Sequence, residues 1–404
     1  MKMIKSVVVC LFLIFCAVNI ASAQSYKEEG IRIGQNEFKD APGKRVGPVS
    51  IKAMLATALE YDSNIFWAAN NKKHDLINVT SPSILLELPL GIDQRHILQA
   101  MYRADINTYS NYKSENHIDQ TAAFNGDFKL PFGYFNVQDV FDHTSDRSST
   151  EFTTRVKRTD NKVSTDVGVE FNKLAMETGY SGYNRWYDDD TLSTLEYRED
   201  VISETAYYQL FPKTKALVEY DHGFIKYSDN SARDGDYDQI RVGLKGDITG
   251  KTQALIKVGY QARQYDAVGP NGYEGFVAEA GTITQFSERT RLTLKYIKTA
   301  QESTFSNNNY FDMNYFAAIL DQKLFDRLSM VLTSDVSRNV YPEVDPTLSQ
   351  QRQDTIIDEG IAFKYDIQDW AAAKLGYNFR EDISSIRSQN YNDHLWTAGF
   401  EFKI

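Results

Sequence analysis

Cysteine is all but missing from this 404-residue chain: the two present, Cys10 and Cys16, both fall within the first 23 residues. The rest of the chain therefore has no disulfide framework and no thiolate metal site. Long apolar runs are missing too. No stretch after residue 24 approaches the ~18 consecutive apolar residues of a spanning helix, and the mean hydropathy is −0.46. Histidine is sparse: residues 74, 96, 117, 143, 222 and 394 stand apart, with no pair at metal-ligand spacing. Positive charge is in deficit, 44 Lys and Arg against 55 Asp and Glu. That balance leaves no basic stripe for nucleic acid. Neither a nucleic-acid partner nor a cofactor is expected.

The first 23 residues have the layout of a secretory signal peptide. Lys2 and Lys5 lead into an apolar run from Val7 to Val18, and Ala21-Ser22-Ala23 offers a small-residue cleavage site before Gln24. Cleavage removes two lysines and no acid, taking the net charge from −11 to −13. Leu13-Ile14-Phe15 ahead of Cys16 lacks the small residues that lipid attachment needs. The mature chain is expected in the cell envelope.

What the chain does have is alternation and aromatics. In the last thirteen residues, His394, Trp396, Ala398, Phe400, Phe402 and Ile404 share one face of an extended segment, and Leu395, Thr397, Gly399, Glu401 and Lys403 share the other. Such a strand suits a wall with lipid on one side and water on the other. Alternation averages to a hydrophilic mean, so low hydropathy does not argue against a membrane barrel. The 25 Tyr and 23 Phe fit the aromatic girdles of two membrane interfaces.

Residues 24–48 are polar and broken by Gly and Pro, and read as a periplasmic lead-in. From Val49 onward alternating runs follow one another to residue 404. Val49, Ile51, Ala53, Leu55, Leu59 and Tyr61 oppose Ser50, Lys52, Ala56, Ala58 and Glu60. Ile240, Val242, Leu244 and Ile248 oppose Gln239, Arg241, Gly243, Lys245 and Asp247; Ala254, Ile256, Val258, Tyr260 and Ala262 oppose Gln253, Lys257, Gly259, Gln261 and Arg263. Charge is expected on one face only. Eight short connectors, such as Pro131-Phe132-Gly133 and Thr249-Gly250-Lys251, alternate with nine longer polar ones. Short turns on one side and long loops on the other are the asymmetry of an outer-membrane barrel. The pattern predicts an all-β fold, a single transmembrane antiparallel up-and-down β-barrel of about 18 strands, with 16 the alternative. The ambiguity lies in residues 143–162, where Glu151 to Lys157 read as a further strand, a folded-in loop or a small helix. A propeller buries both sheet faces, whereas these strands keep charge along one.

Several features resemble sites and have plainer readings. Gly250-Lys251-Thr252 ends like a phosphate-binding loop, but Lys245 stands where that motif needs Gly and a strand follows instead of a helix. Asp188-Asp189-Asp190, with Glu196, Glu199 and Asp200 nearby, suits a divalent cation or a solvated acidic loop. His222 with Ser203 is the one conceivable hydrolytic pair; no enzymatic activity and no metal are expected. With the apolar face outward, the lumen receives Arg241, Lys245, Lys257, Arg263, Arg291, Lys295, Lys374 and Arg380, mixed with Asp247, Glu279, Asp335 and Glu401. A midplane Arg or Lys on the lipid face costs ~2–4 kcal/mol, so these side chains belong inside. Two readings of them stay open: a cationic ladder for an acidic polymer, or cations paired with lumen acids. Trp396, Tyr260 and Tyr296 are expected as girdle anchors, with most aromatics on the outer face.

Specific residues also resemble a known family. Tyr61-Asp62-Ser63-Asn64-Ile65-Phe66 followed by Asp75 to Pro82, Phe211-Pro212-Lys213-Thr214-Lys215-Ala216, and Gly243 to Thr252 continuing to Gln261, Arg263 and Tyr265 are similar to the putative β-barrel porin type 2 family, over roughly residues 45–404. The resemblance implies an outer-membrane barrel associated with exopolysaccharide or capsular polysaccharide export. The alternatives are a general diffusion porin for small solutes or a non-conducting structural or adhesive barrel. Expected partners are membrane lipid and lipopolysaccharide, polysaccharide in the lumen, the barrel-assembly machinery reading the C-terminal strand, and a periplasmic export partner contacting the lead-in.

Overall fold

Alternating sequences of this kind satisfy their backbone only by pairing strand to strand, and in lipid only a closed sheet leaves no edge. The computed structural model describes residues 38, 41–91, 95–147, 151–152, 154–266, 272–305, 308–345 and 349–404. The expected signal segment and most of the expected lead-in lie outside them.

A short β1 (Lys44–Val46) precedes eighteen crossing strands. In chain order these begin β2 (Val49–Asp62), β3 (Asp75–Leu90), β4 (His96–Tyr109), β5 (His117–Leu130), β6 (Gly133–Thr144) and β7 (Arg158–Phe171). They continue with β8 (Leu174–Tyr187), β9 (Tyr197–Phe211), β10 (Thr214–Tyr227), β11 (Gly235–Thr249), β12 (Thr252–Tyr265) and β13 (Tyr273–Ser287). The last six are β14 (Thr290–Glu302), β15 (Tyr310–Phe325), β16 (Leu328–Asp345), β17 (Gln350–Gln368), β18 (Ala371–Ser384) and β19 (Tyr391–Lys403). Each pairs antiparallel with its neighbours, and β19 closes on β2, from Leu395 opposite Asp62 to Lys403 opposite Met54. At the seam Ala53 and Ile404 exchange backbone hydrogen bonds of 3.2 and 2.8 Å.

The wall is therefore a closed antiparallel barrel of eighteen strands. Eighteen strands spaced ~4.8 Å apart and tilted ~40° give roughly 35 Å between backbones across it. Gly250-Lys251-Thr252 is the hairpin turn from β11 to β12. The lead-in is not wholly irregular, because β1 pairs back onto residues 49–51 of β2, with Gly47 at φ 61° making the tight reversal that a side chain resists.

Register fixes the faces. Ile240, Val242, Leu244 and Ile248 are exposed outward, as are Ile256, Val258, Tyr260 and Trp396. One expectation needs correcting. Charge is not confined to one face: the outward positions Arg198, Asp200, Glu204, His222 and Asp238 are polar. They satisfy one another laterally, Arg198 donating to Asp200 (2.7 Å), Tyr180 to Asp200 (2.6 Å), Thr178 to Glu204 (2.9 Å) and Tyr220 to Asp238 (2.5 Å). Beside the many rings that face outward, some face in. At the outer ends of β8–β11, Tyr183, Tyr197, Tyr227 and Tyr237 turn inward and pack with Val201 and Ile225 as a buried cluster.

Candidate functional site in the lumen

The inward face is built by alternation alone, so each lumen residue is placed by its parity on its strand. Arg241, Lys257 and Glu279 come from β11, β12 and β13, and Lys257 lies opposite Glu279 in the ladder. β10 adds Glu219 and Asp221 from the neighbouring position. Arg241 bonds Glu219, Asp221 (2.9 Å) and Glu279 (3.3 Å), and Lys257 bonds Glu219 (3.0 Å) and Glu279 (3.4 Å). Gln239 and Gln261 extend the network, Gln239 donating to Asp221 at 2.8 Å and Gln261 to Gln239 at 3.3 Å.

The other sequence-predicted charges fall into separate groups. Arg263 donates to Glu302 at 2.5 Å and stacks on Tyr237. Glu302 also accepts from Tyr227 (2.6 Å) and Tyr265 (2.7 Å). Arg380 pairs with Asp358 at 2.8 Å, while Asp335, opposite Asp358, accepts from Tyr315 at 2.6 Å. Lys374 and Lys364 share Glu401 near the periplasmic rim. Arg291 pairs with Asp321 at 2.8 Å. Lys245 lies over the Tyr207 ring, and Lys295 lies opposite Ala317. Of the two open readings, the geometry supports paired cations: Arg241, Lys257, Arg263, Arg291, Lys374 and Arg380 each meet a lumen carboxylate. Such pairs earn stability only where hydrogen bonds complete them, and removing one member leaves the other exposed to the full desolvation cost.

Glu219, Asp221, Asp358 and Glu302 were not singled out from the sequence. Alternation along β10 and β17 carried the signal for the first three. For the segment between β6 and β7 the sequence left three readings, a strand, a folded-in loop or a small helix. Its described residues are neither strand nor helix and turn inward as a loop across the outer mouth, pinned by side chains on two sides. Arg147 donates to the Ile65 carbonyl (2.9 Å) and lies 4.0 Å from the Trp67 ring centroid, with Arg380 over the same ring. Arg155 pairs with Asp146 at 2.9 Å. Far along the chain, Glu151 accepts from Ser303 Oγ (2.5 Å), Thr304 N (2.7 Å) and Thr304 Oγ1 (2.6 Å) in the β14–β15 loop. Burial, then the facing Arg155 guanidinium, lowers Arg147 to about 10. Burial also works against the charge on Arg155, but Tyr109, Asp146 and Asp62 outweigh it and its value is raised. Both guanidiniums are charged at neutral pH, and the constriction carries them opposite lumen carboxylates.

The remaining candidates come apart. His222 points outward and bonds Asp238 at 2.8 Å, while Ser203, opposite Asp221, points inward, so that pair cannot relay a proton. Glu199 and Asp200 likewise face opposite sides of β9. Asp189 caps a short 3-10 turn, accepting from Thr191 N at 2.9 Å. Among the described residues no three His, Cys, Asp or Glu converge on a metal site.

A profile of the family described as "Putative beta-barrel porin 2" matches residues 39–404. The chain belongs to that porin family. It is an outer-membrane β-barrel. No curated protein matches it. Among solved structures, this porin is similar to the outer-membrane protein OpdK of Pseudomonas aeruginosa, at 10% identity and TM-score 0.49 over 88% of this chain and 99% of that one. It is similar to OccAB3 of Acinetobacter baumannii, at 9% and 0.47 over 88% and 99%. It is also similar to a BenF-like porin of Pseudomonas fluorescens, at 9% and 0.48 over 89% and 100%. Likeness at this level carries nothing about substrate.

Proposed function

We propose that this porin passes small hydrophilic solutes by diffusion through a charged lumen. The observation that carries the reading is the inward fold of the β6–β7 segment, held on one side by Arg147 at Ile65 and on another by Glu151 at Ser303 and Thr304. A wall of eighteen strands alone leaves an aqueous bore. A segment laid across that bore leaves passages on the scale of single solutes, lined by fixed charges and hydroxyls that replace part of a solute's hydration. Export of polysaccharide, which the family resemblance implies, needs a clear bore along the whole axis, and among the described residues no feature of the lumen favours it. The paired state of Arg241, Lys257 and Arg263 also removes the free cationic ladder on which an acidic polymer would ride.

Two measurements on the purified protein test the proposal. Planar bilayers are expected to show discrete open-channel steps. Proteoliposomes are expected to swell in small sugars and amino acids and to stay shut to dextrans. Absence of steps would return the barrel to the structural reading, and passage of dextran would return it to polymer export.

A further inference from the structure

Four neighbouring lumen positions break the polarity of the inner face. Leu85 of β3 lies opposite Met101 of β4, Ala123 of β5 continues the same row, and Met54 of β2 sits diagonally beside Leu85. Met54, Leu85 and Met101 lie five residues inside the periplasmic ends of their strands and Ala123 seven, where a water-filled lumen gives an apolar side chain nothing to gain. What covers this patch is the chain's own N-terminal side. Phe38 is 0% exposed and packs with Ala41 against Met54 and Leu85, and Met101 closes on the cluster. The route is set by the seam. β19 ends opposite Met54 and Ala53, so the edge of β2 below that point is open, and β1 fills it by pairing with residues 49–51. The chain thus meets the wall at the periplasmic rim and places Phe38 inside it.

We propose that the chain ahead of β1 docks in its own lumen through Phe38 and Ala41, with Phe38 seated in a socket made by Met54, Leu85 and Met101, and that this docking narrows the periplasmic end of the passage. The occupant is this chain's segment, not a second protein, and the docking holds whichever solute crosses. Burying one Phe side chain favours the docked form by a factor of about ten or more.

The mature chain has no cysteine, so a single reporter thiol reads the socket directly. In Met101→Cys protein, labelling by a membrane-impermeant maleimide is expected to be slow. Adding Phe38→Asp is expected to speed it about tenfold, matching that burial factor, and to raise the unit conductance. Equal labelling rates in the two proteins would overturn the proposal, whatever the channel conducts. A second pair covers failure of the Asp variant to fold. Phe38→Cys with Leu85→Cys is expected to form a disulfide under mild oxidation, and reductant is expected to raise the conductance. No cross-link in a folded barrel would also overturn it.

Discussion

Replacing Arg241 by Met tests whether the lumen charges are structural partners. The side chain is 11% exposed and bonds three carboxylates, those of Glu219, Asp221 and Glu279, whose own side chains are 5–8% exposed. Lys257 is the second cation of the group, so three negative charges face two positive ones, one acid in excess. Met keeps the volume of the aliphatic stem and removes the guanidinium, which leaves three carboxylates around one ammonium. Breaking a buried ion pair costs ~3–5 kcal/mol, and access to lumen water lowers that to roughly 2–4 kcal/mol. Glu279→Gln supplies the sign test. In the parent it leaves two acids and two bases and is expected to be neutral within about 0.5 kcal/mol. In the Arg241→Met background it removes repulsion and is expected to restore about 1 kcal/mol, a coupling of the size that neighbouring charges show. Urea unfolding in detergent, followed by fluorescence of the chain's four tryptophans, gives all four corners of the cycle. If Arg241→Met shifts stability by less than about 0.5 kcal/mol, or Glu279→Gln costs the same in both backgrounds, the five groups do not act as one network.

Glu151→Gln removes the charge from three hydrogen bonds to Ser303 and Thr304. The latch is expected to weaken by roughly 2–3 kcal/mol, giving larger or noisier open-channel steps in planar bilayers, while unchanged steps would deny the segment a role in the bore. Val242→Arg places a charge on the lipid face beside Leu244 and is expected to cost ~2–4 kcal/mol in vesicle refolding, which a neutral outcome would contradict. At Gly223 a Cβ would stand 2.2 Å from the Tyr237 ring. Gly223→Ala is therefore expected to lower the free energy of unfolding in urea by about 1–3 kcal/mol through overpacking, and a wild-type midpoint would show that the ring is free to move.

Much of the fold could be read directly from the chain, because a barrel wall repeats one local rule. The alternation of Ile240, Val242 and Leu244 against Gln239, Arg241 and Lys245 assigns lipid and lumen without any long-range information. The short connectors around Pro131, Asn172 and Gly250 set the hairpins, and with them a strand count whose parity returns both ends to one side. The rule failed where side chains, not parity, decide the environment. Asp200, Glu204 and Asp238 face outward on β9 and β11, tolerated because Arg198, Tyr180, Thr178 and Tyr220 bond them laterally. The inward tyrosines of β8–β11 obey alternation, yet aromatic content alone pointed to the girdles.

The amino-acid order by itself determined that this protein is a closed sheet in the outer membrane, because a period of two is set residue by residue and lipid permits no free edge. Only the tertiary structure decided what fills the interior. Glu151 reaches Ser303 across 152 positions of sequence, Glu219 meets Lys257 across 38, and Phe38 finds Met101 only because β1 is fixed beside the seam. Such meetings depend on strands brought together by closure of the wall, and no local pattern of polarity encodes which of the many inward side chains will touch.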